Sequence, residues 1–345
     1  MLNWIGIDIH KRTCEFCVLN NKGVVVMRKH VRTEEKSLIA ALSSIQGERY
    51  VVIEESTIAQ WIYCTLKPYA NKLVISNPKK NRLIHGDEEK DDGLDCFKLA
   101  DLYRMNKIYE VYHSDVEELI ALRKLVNHYY KVNADCTRTM NRIKAEYSFY
   151  GIFAYGAKVY HSQREEYLDQ VPSGSRFILE NYFSELDTFR LLKAKVIKEL
   201  KDMMKGNTTM KWLQSVPGFG FIRSVTYFSA ILTPDRFPDK SKLHRYSGLA
   251  VISKGSGGVV YCTKASREGN RFLKHVLIDA AITCISRSKG NEFRKEYDGL
   301  LKRGLTPKTA RRTVARSINA KLFGLWKKGE AYNVKKHNRE ATARG

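Results

Sequence analysis

Apolar and polar positions alternate over the first thirty residues. The runs 3–9 (NWIGIDI), 13–19 (TCEFCVL) and 24–31 (VVVMRKHV) are β-branched or strictly alternating and are separated by turn signals such as NNKG. A period of two broken by such turns predicts three strands of an antiparallel meander. A helix is predicted near 36–45. RYVVIEE (49–55) then reads as a buried strand, IAQWIYCTLKPYA (58–70) as a helix and KLVIS (72–76) as another strand. That order predicts a crossover onto a mixed sheet.

A three-strand meander followed by β-α-β is the order of a ribonuclease H-like sheet, so the first third is expected to be α/β. In the middle third the period changes. From Leu119, the positions Leu122, Val126, Tyr129, Asn133, Cys136, Met140, Ile143, Tyr147 and Tyr150 recur at alternating steps of three and four, which is a heptad seam. Leu186, Phe189, Leu192, Val196, Leu200 and Met203 give a less regular second stripe. Periodicity does not say whose helix fills the seam, so a pair within the chain and a dimerising coiled coil are both open. Asn133, the polar residue on the seam, suits either as a register pin.

The last third is expected to be mainly helical. In LQSVPGFGFIRSVTYFSAIL (213–232) the turn PGFG separates two helical patterns, as in a helix-hairpin-helix. Gly218 and Gly220 permit a tight turn whose backbone N–H groups, at the start of the second helix, suit a phosphate. A Gly-rich loop, KGSGG (254–258), a basic segment (263–281) and two further helical patterns ending near Tyr332 follow. The expected domains are 1–112, 113–208 and 209–332, with a frayed polar tail at 333–345.

Composition sharpens this picture through charge. Of 345 residues, 43% are apolar and 28% charged, which is a globular mixture with room for two or three domains. Lys and Arg number 60 against 37 Asp and Glu, a net charge of +23. Residues 1–112 carry +2, residues 113–239 carry +3 and residues 240–345 carry +18. So uneven a distribution points to a polyanionic partner held by the last third, with steep salt dependence. No stretch approaches the roughly 18 apolar residues of a membrane span, and MLNWIGIDIHK lacks the pattern of a secretory signal. A cytoplasmic protein with no membrane partner is expected. The seven Cys form no disulfide framework, and Cys14 and Cys17, though spaced CxxC, fall in an alternating run and read as strand residues.

Four carboxylates stand out by position. Asp8 shares the parity of Gly6 in an apolar strand, and Glu54 closes the run Val51-Val52-Ile53; a carboxylate there is costly unless it meets a cation. Asp92 and Asp95 in KDDGLDCFKLADLYR lie three apart at a helix start, on one face. By themselves Asp92 and Asp95 also read as helix-capping acids. Two strand ends and a helix start converging would suit two Mg²⁺ ions about 4 Å apart, acting on a phosphodiester. Glu54 is favoured over its neighbour Glu55 on placement, and Asp91 is the other close neighbour.

The segments IGIDIHK, VVIEES and KDDGLDCFKLA, followed by the helical middle, VPGFG and SREGNRFLK, resemble the DEDD transposases or recombinases of the insertion sequence 110 family over almost the whole chain. The resemblance implies a RuvC-like first domain with Asp8, Glu54, Asp92 and Asp95 as its catalytic and metal-binding carboxylates, and Mg²⁺ or Mn²⁺ as cofactor. It also implies a second domain whose serine, Gly-Asn pair and downstream basic residue fall on Ser266, Gly269, Asn270 and Lys274. The chain departs from the family pattern at Asp91, Cys96 and Arg267, which stand where a small polar residue, Ala and often Lys occur. From the residues alone, Ser266 is an ordinary loop serine or helix cap that lies within a basic cluster, Lys264, Arg267, Arg271 and Lys274, suited to a DNA phosphate.

The resemblance implies DNA strand cleavage and exchange through a phosphoserine link, choice of DNA guided by an element-encoded RNA, and double-stranded DNA as substrate. A homo-oligomer, dimer or tetramer, is expected because two duplexes must be held at once. The two domains are expected to act on one DNA, within a protomer or between two. Two rival readings use the same residues differently: a junction-resolving nuclease in which the carboxylates activate water and no serine acts, and a non-catalytic nucleic-acid-binding protein.

Overall fold

In a computed structural model of the protein, the period-two runs are strands. Residues 1–78, 80, 92–256, 259–266, 268–287 and 291–334 are described, without the side chains of 92–94, 253–256, 259–265 and 287. Asp91, Arg267 and the polar tail from 335 lie outside the described residues. The chain forms two compact units, Met1–Glu117 and Glu118–Gly345.

The N-terminal unit runs β1 (Leu2–Ile9), β2 (Thr13–Leu19), β3 (Val25–Arg32), α1 (Glu35–Ser43), β4 (Glu48–Glu54), α2 (Ala59–Leu66), β5 (Lys72–Ser76), α3 (Asp92–Arg104) and β6 (Glu110–Val111). The six strands form one mixed sheet in the order β3-β2-β1-β4-β5-β6. β1, β2 and β3 pair antiparallel, β1, β4 and β5 pair parallel, and β6 closes the edge antiparallel to β5. Alternation sorts the side chains to two faces. Ile5, Ile7, Val51, Ile53, Leu73 and Ile75 pack with residues of α1 and α2 in one buried cluster. On the other face Val52 and Val74 pack with Leu99, Leu102 and Tyr103 of α3. Cys14 and Cys17 are buried in β2, as their alternation predicts.

The C-terminal unit runs α4 (Glu117–Phe149), α5 (Arg164–Leu168), α6 (Ser173–Met203), α7 (Thr208–Gln214), α8 (Phe221–Ile231), α9 (Lys240–Tyr246), β7 (Val251–Ser256), β8 (Val259–Ala265), α10 (Arg271–Arg287), α11 (Glu292–Lys302) and α12 (Pro307–Lys328). The seam on α4 is filled by α6 of the same chain. Cys136, Ile143 and Tyr147 share a buried cluster with Leu179, Phe183 and Leu186. Tyr150 hydroxyl lies 2.7 Å from Ser175, Arg142 3.5 Å from Glu185, and Lys193 donates to Asn133 Oδ1 at 2.6 Å. The partners descend along α6 as they ascend along α4, so the two helices are antiparallel. Asn133 is satisfied inside the chain, and the stripe that offered a dimer seam is spent on this pair. At the other end Leu122, Val126, Val196 and Leu200 join the core of α7, α8, α10 and α12.

β7 and β8 form an antiparallel hairpin where a Gly-rich loop within a helical domain is expected. VISK and VVYCTK are β-branched runs on either side of a glycine turn, and here that pattern outweighs the helical surroundings. Helix ends follow local chemistry: Thr306 accepts from Thr309 N–H and precedes Pro307 at the start of α12, and Gly329 ends that helix in the left-handed region at φ 65°.

Candidate functional site

The carboxylates of the N-terminal unit gather at the carboxyl ends of parallel strands. Parallel pairing runs through Ile7 and Ile53, so Asp8 and Glu54, one residue further along, stand side by side. Glu54 in turn pairs with Ser76 on β5. Both acids share the face of α3, because Gly6 and Val52, two residues before them, lie under that helix. Gly6 decides how close the helix comes. A Cβ there would overlap the Cys96 carbonyl oxygen and lie 2.8 Å from Ala100 N. With no Cβ at residue 6, α3 rests its backbone directly on β1. Asp95, beside Cys96, is half-buried, and Asp92 is the first residue of α3, one turn before Cys96.

Asp8 is about one-seventh exposed, with a side-chain relative exposure of 15%, and its Oδ2 lies 3.1 Å from His10 Nε2. One carboxylate oxygen of Glu54 is shielded from solvent. Glu55 is exposed, and its N–H donates to Ser76 O at 3.1 Å. Among the described residues, no three His, Cys, Asp or Glu side chains come together as a metal-binding group, and the Asp92 side chain lies outside that set. The donors present are hard carboxylate oxygens on one sheet face, which in kind fit Mg²⁺ rather than a soft metal.

In the C-terminal unit Ser266 follows β8 directly and is buried, 3% exposed. Its N–H donates to Ala250 O at 2.9 Å. Its Oγ accepts from Glu268 N–H at 3.1 Å and donates to Glu268 O at 3.4 Å, so the hydroxyl closes a turn two residues along. Gly269 adopts φ +118°, where a Cβ would lie 2.5 Å from Gly248 N and 2.8 Å from Arg245 O. The loop therefore packs backbone to backbone on the end of α9. Asn270 N–H donates to Tyr246 O at 2.7 Å, and Asn270 Oδ1 accepts from Leu273 N–H at 3.0 Å, capping α10. Lys274, one turn into that helix, donates to Ser266 O at 3.4 Å.

Beneath the loop lies a buried polar network that pattern reading misses. Asn319 on α12 accepts from Tyr227 hydroxyl at 3.1 Å and donates to Ser247 Oγ at 2.9 Å, and its Nδ2 lies 3.3 Å from His244 Nδ1. Burial, then Arg316 and Lys240, pushes His244 down to about 4. The His244 carbonyl accepts from Leu249 and Ala250 N–H, so this histidine also anchors the backbone that holds Ser266.

The other basic candidates separate. Arg271 opens α10 and is exposed. Lys264 is on β8 and Ser253 and Ser256 are on β7, with side chains outside the described set. Gly218 adopts φ +81°, and a Cβ there would lie 2.7 Å from Ala280 O and 2.8 Å from Cys284 Sγ. Its glycine is thus required by the approach of α10, and its carbonyl accepts from Arg223 at 2.6 Å. Gly220 precedes α8 and faces open space.

Comparison with known proteins places this chain among transposases. A family model described as Transposase, of the DEDD type of IS110, matches residues 5–149, and one described as Transposase IS116/IS110/IS902 family matches residues 210–298. The chain belongs to the IS110 family of transposases. It is 23% identical over 301 residues to the transposase for insertion sequence element IS1111A of Coxiella burnetii, spanning 84% of this chain and 80% of that one. It is also 28% identical over 134 residues to an uncharacterized 43.6 kDa protein of insertion element IS110 from Streptomyces coelicolor, spanning 39% of this chain and 33% of that one. Among the described residues, no helix is long and apolar enough to cross a membrane.

Proposed function

We propose that this transposase cleaves and rejoins DNA strands through a phosphoserine link at Ser266, assisted by a RuvC-like carboxylate centre. Ser266 Oγ forms a bond to phosphorus while the bond from phosphorus to a deoxyribose oxygen breaks. The serine proton leaves to a base and the departing oxygen takes up a proton. The phosphoester energy is retained in the link, so rejoining needs no nucleotide hydrolysis. Asp8, Glu54, Asp92 and Asp95 are the residues that would hold Mg²⁺. The metal's contribution, when bound, is to polarise the phosphodiester and offset charge on its oxygens.

The observation that carries this reading is the pairing of two features within one family member: Asp8 and Glu54 side by side on parallel strand ends under α3, and Ser266 fixed between β8 and the capped start of a basic α10. The strand order 3-2-1-4-5 with an antiparallel meander supports the RuvC-like assignment of the first unit. The Ser266 hydroxyl is held within its own loop, so a local change at Glu268 frees it for attack. Double-stranded DNA is the substrate in this reading. The +18 charge of residues 240–345 serves the DNA, an element-encoded guide RNA, or both. Gly220 and the α8 start offer backbone N–H groups to a phosphate, as in a helix-hairpin-helix. A dimer or larger assembly holds the two duplexes.

The test is covalent trapping on DNA carrying the element's ends. Wild type is expected to yield a denaturation-resistant protein–DNA adduct that Ser266→Ala abolishes. The burial of Ser266 favours one alternative, a junction nuclease in which the carboxylates activate water. Metal-dependent cleavage that persists in Ser266→Ala, with no adduct in either protein, would establish that alternative.

A further inference from the structure

Two cations lie against each other beside the Ser266 loop. Lys274 reaches the Ser266 carbonyl from α10, and the guanidinium of Arg312 on α12 acts on its ammonium. Burial and that guanidinium hold Lys274 below the ordinary lysine range, and no carboxylate among the described residues acts on it. Both side chains are half-buried. The neighbouring cation one turn along α12 is balanced differently: Arg316 feels the Glu296 carboxylate, and Glu296 accepts from Ser317 Oγ at 2.6 Å.

The placement of α12 follows from packing. Ala310, Val314, Ala315 and Ile318 share the buried core with Leu273, Val276, Leu277 and Ala280 of α10. Asn319 reaches His244 and Ser247 on the platform below the serine loop. Arg312, seven residues before Asn319, lies two turns along the same helix face. A fold that holds two like charges together, half out of water, bears a cost that an anion between them removes.

We propose that Lys274 and Arg312 form a seat for a nucleic-acid phosphate beside Ser266, with Arg312 as its forked donor and Lys274 as its point charge. This deepens the reading above, since it places the phosphate within reach of the serine. The seat itself does not require that the serine react.

The test measures binding of the full chain to a duplex of arbitrary sequence across a salt series. Arg312→Gln is expected to weaken binding about tenfold and to lower the slope of log K against log salt by about 0.9, the share of one phosphate. Arg312→Lys, which keeps the charge, retains the slope. Arg311→Gln on the adjoining face changes affinity less than Arg312→Gln. Because the pair is mutually repulsive, the melting temperature of free Arg312→Gln is expected to stay level or rise.

An unchanged slope in Arg312→Gln overturns the proposal, and if its melting temperature falls as well, the side chain has a packing role. In a second arm, inorganic phosphate at constant ionic strength is titrated against melting temperature. Saturable stabilisation lost in Arg312→Gln while the DNA slope stays intact would mark a free-phosphate site, which also overturns it. The adduct assay keeps the two readings apart. If Ser266→Ala still forms the adduct, the serine reading falls and the salt slope of the Arg312 variants still decides the seat.

Discussion

In the N-terminal unit Asp8 and Glu54 stand on adjacent parallel strands, so their spacing is set by a sheet in which both neighbours of each residue are paired. In the C-terminal unit Ser266 stands on the connection between β8 and α10, and its place is set by backbone contacts to the end of α9. The first arrangement presents rigid ligands. The second holds a hydroxyl by hydrogen bonds that one short loop can release. A glycine makes each possible, Gly6 under α3 and Gly269 against Gly248. A metal-binding centre gains from fixed oxygens, whereas a nucleophile that must join and leave phosphorus gains from a seat that yields.

The largest expected effect is on cleavage. Asp8→Ala and Glu54→Ala are each expected to lower it roughly 10³-fold or more while duplex binding is kept. A cleavage assay paired with a binding titration checks this, and full activity of either variant removes the carboxylate centre. Asp92→Ala and Asp95→Ala belong to the same series. Mixing Ser266→Ala with Asp8→Ala subunits sharpens it: restored exchange means that different chains supply the serine and the carboxylate.

Next in size come the glycines. Gly6→Ala forces a Cβ into the backbone of α3 and is expected to cost about 3 kcal/mol or more, because no flexible side chain can give way. Gly269→Ala meets backbone as well, but on a loop that can shift, and is expected to cost about 1–3 kcal/mol. Urea unfolding followed by a probe in each unit measures both. A larger cost at Gly269 than at Gly6 would break the contrast between a rigid and a yielding seat.

A smaller effect tests the platform under the serine. Asn319→Ala leaves the buried Tyr227 hydroxyl and Ser247 short of a partner and is expected to cost about 1–3 kcal/mol. The smallest is a pH effect at His244. Its folded value, about 4, lies below the ordinary 6.5, so between these values the unfolded chain binds a proton that the fold excludes. Stability is therefore full above about pH 6.5 and falls as pH drops towards 4. Allowing for partial solvent screening, about 1 kcal/mol is lost by pH 5, and His244→Gln flattens the profile in that window.

What was legible in the sequence follows the same contrast. The meander, the crossover and the two strand-end acids are readable because a period of two fixes both the element and the face: Asp8 shares the parity of Gly6, and that parity puts it under α3. The seam of α4 is equally plain, yet its partner is not, since the same heptads suit a helix of this chain or of another. Lys193 on Asn133 and Phe183 beside Ile143 give the answer in three dimensions. The serine platform is hidden for a different reason. His244, Asn319 and Arg312 meet only through the packing of α9, α10 and α12, and no local pattern links residues so far apart. The β7–β8 hairpin had a local signal, β-branched runs around a glycine turn, which the helical surroundings masked. Gly218 shows the reverse: a glycine readable as a phosphate cradle has a packing reason in Ala280 and Cys284.

The most direct measurement is the identity of the residue joined to DNA. The trapped adduct, digested with protease and nuclease and sequenced by mass spectrometry, is expected to carry its nucleotide remnant on Ser266 and to be absent from Ser266→Ala. A remnant on Ser253 or Ser256, or metal-dependent cleavage with no adduct at all, would contradict the account.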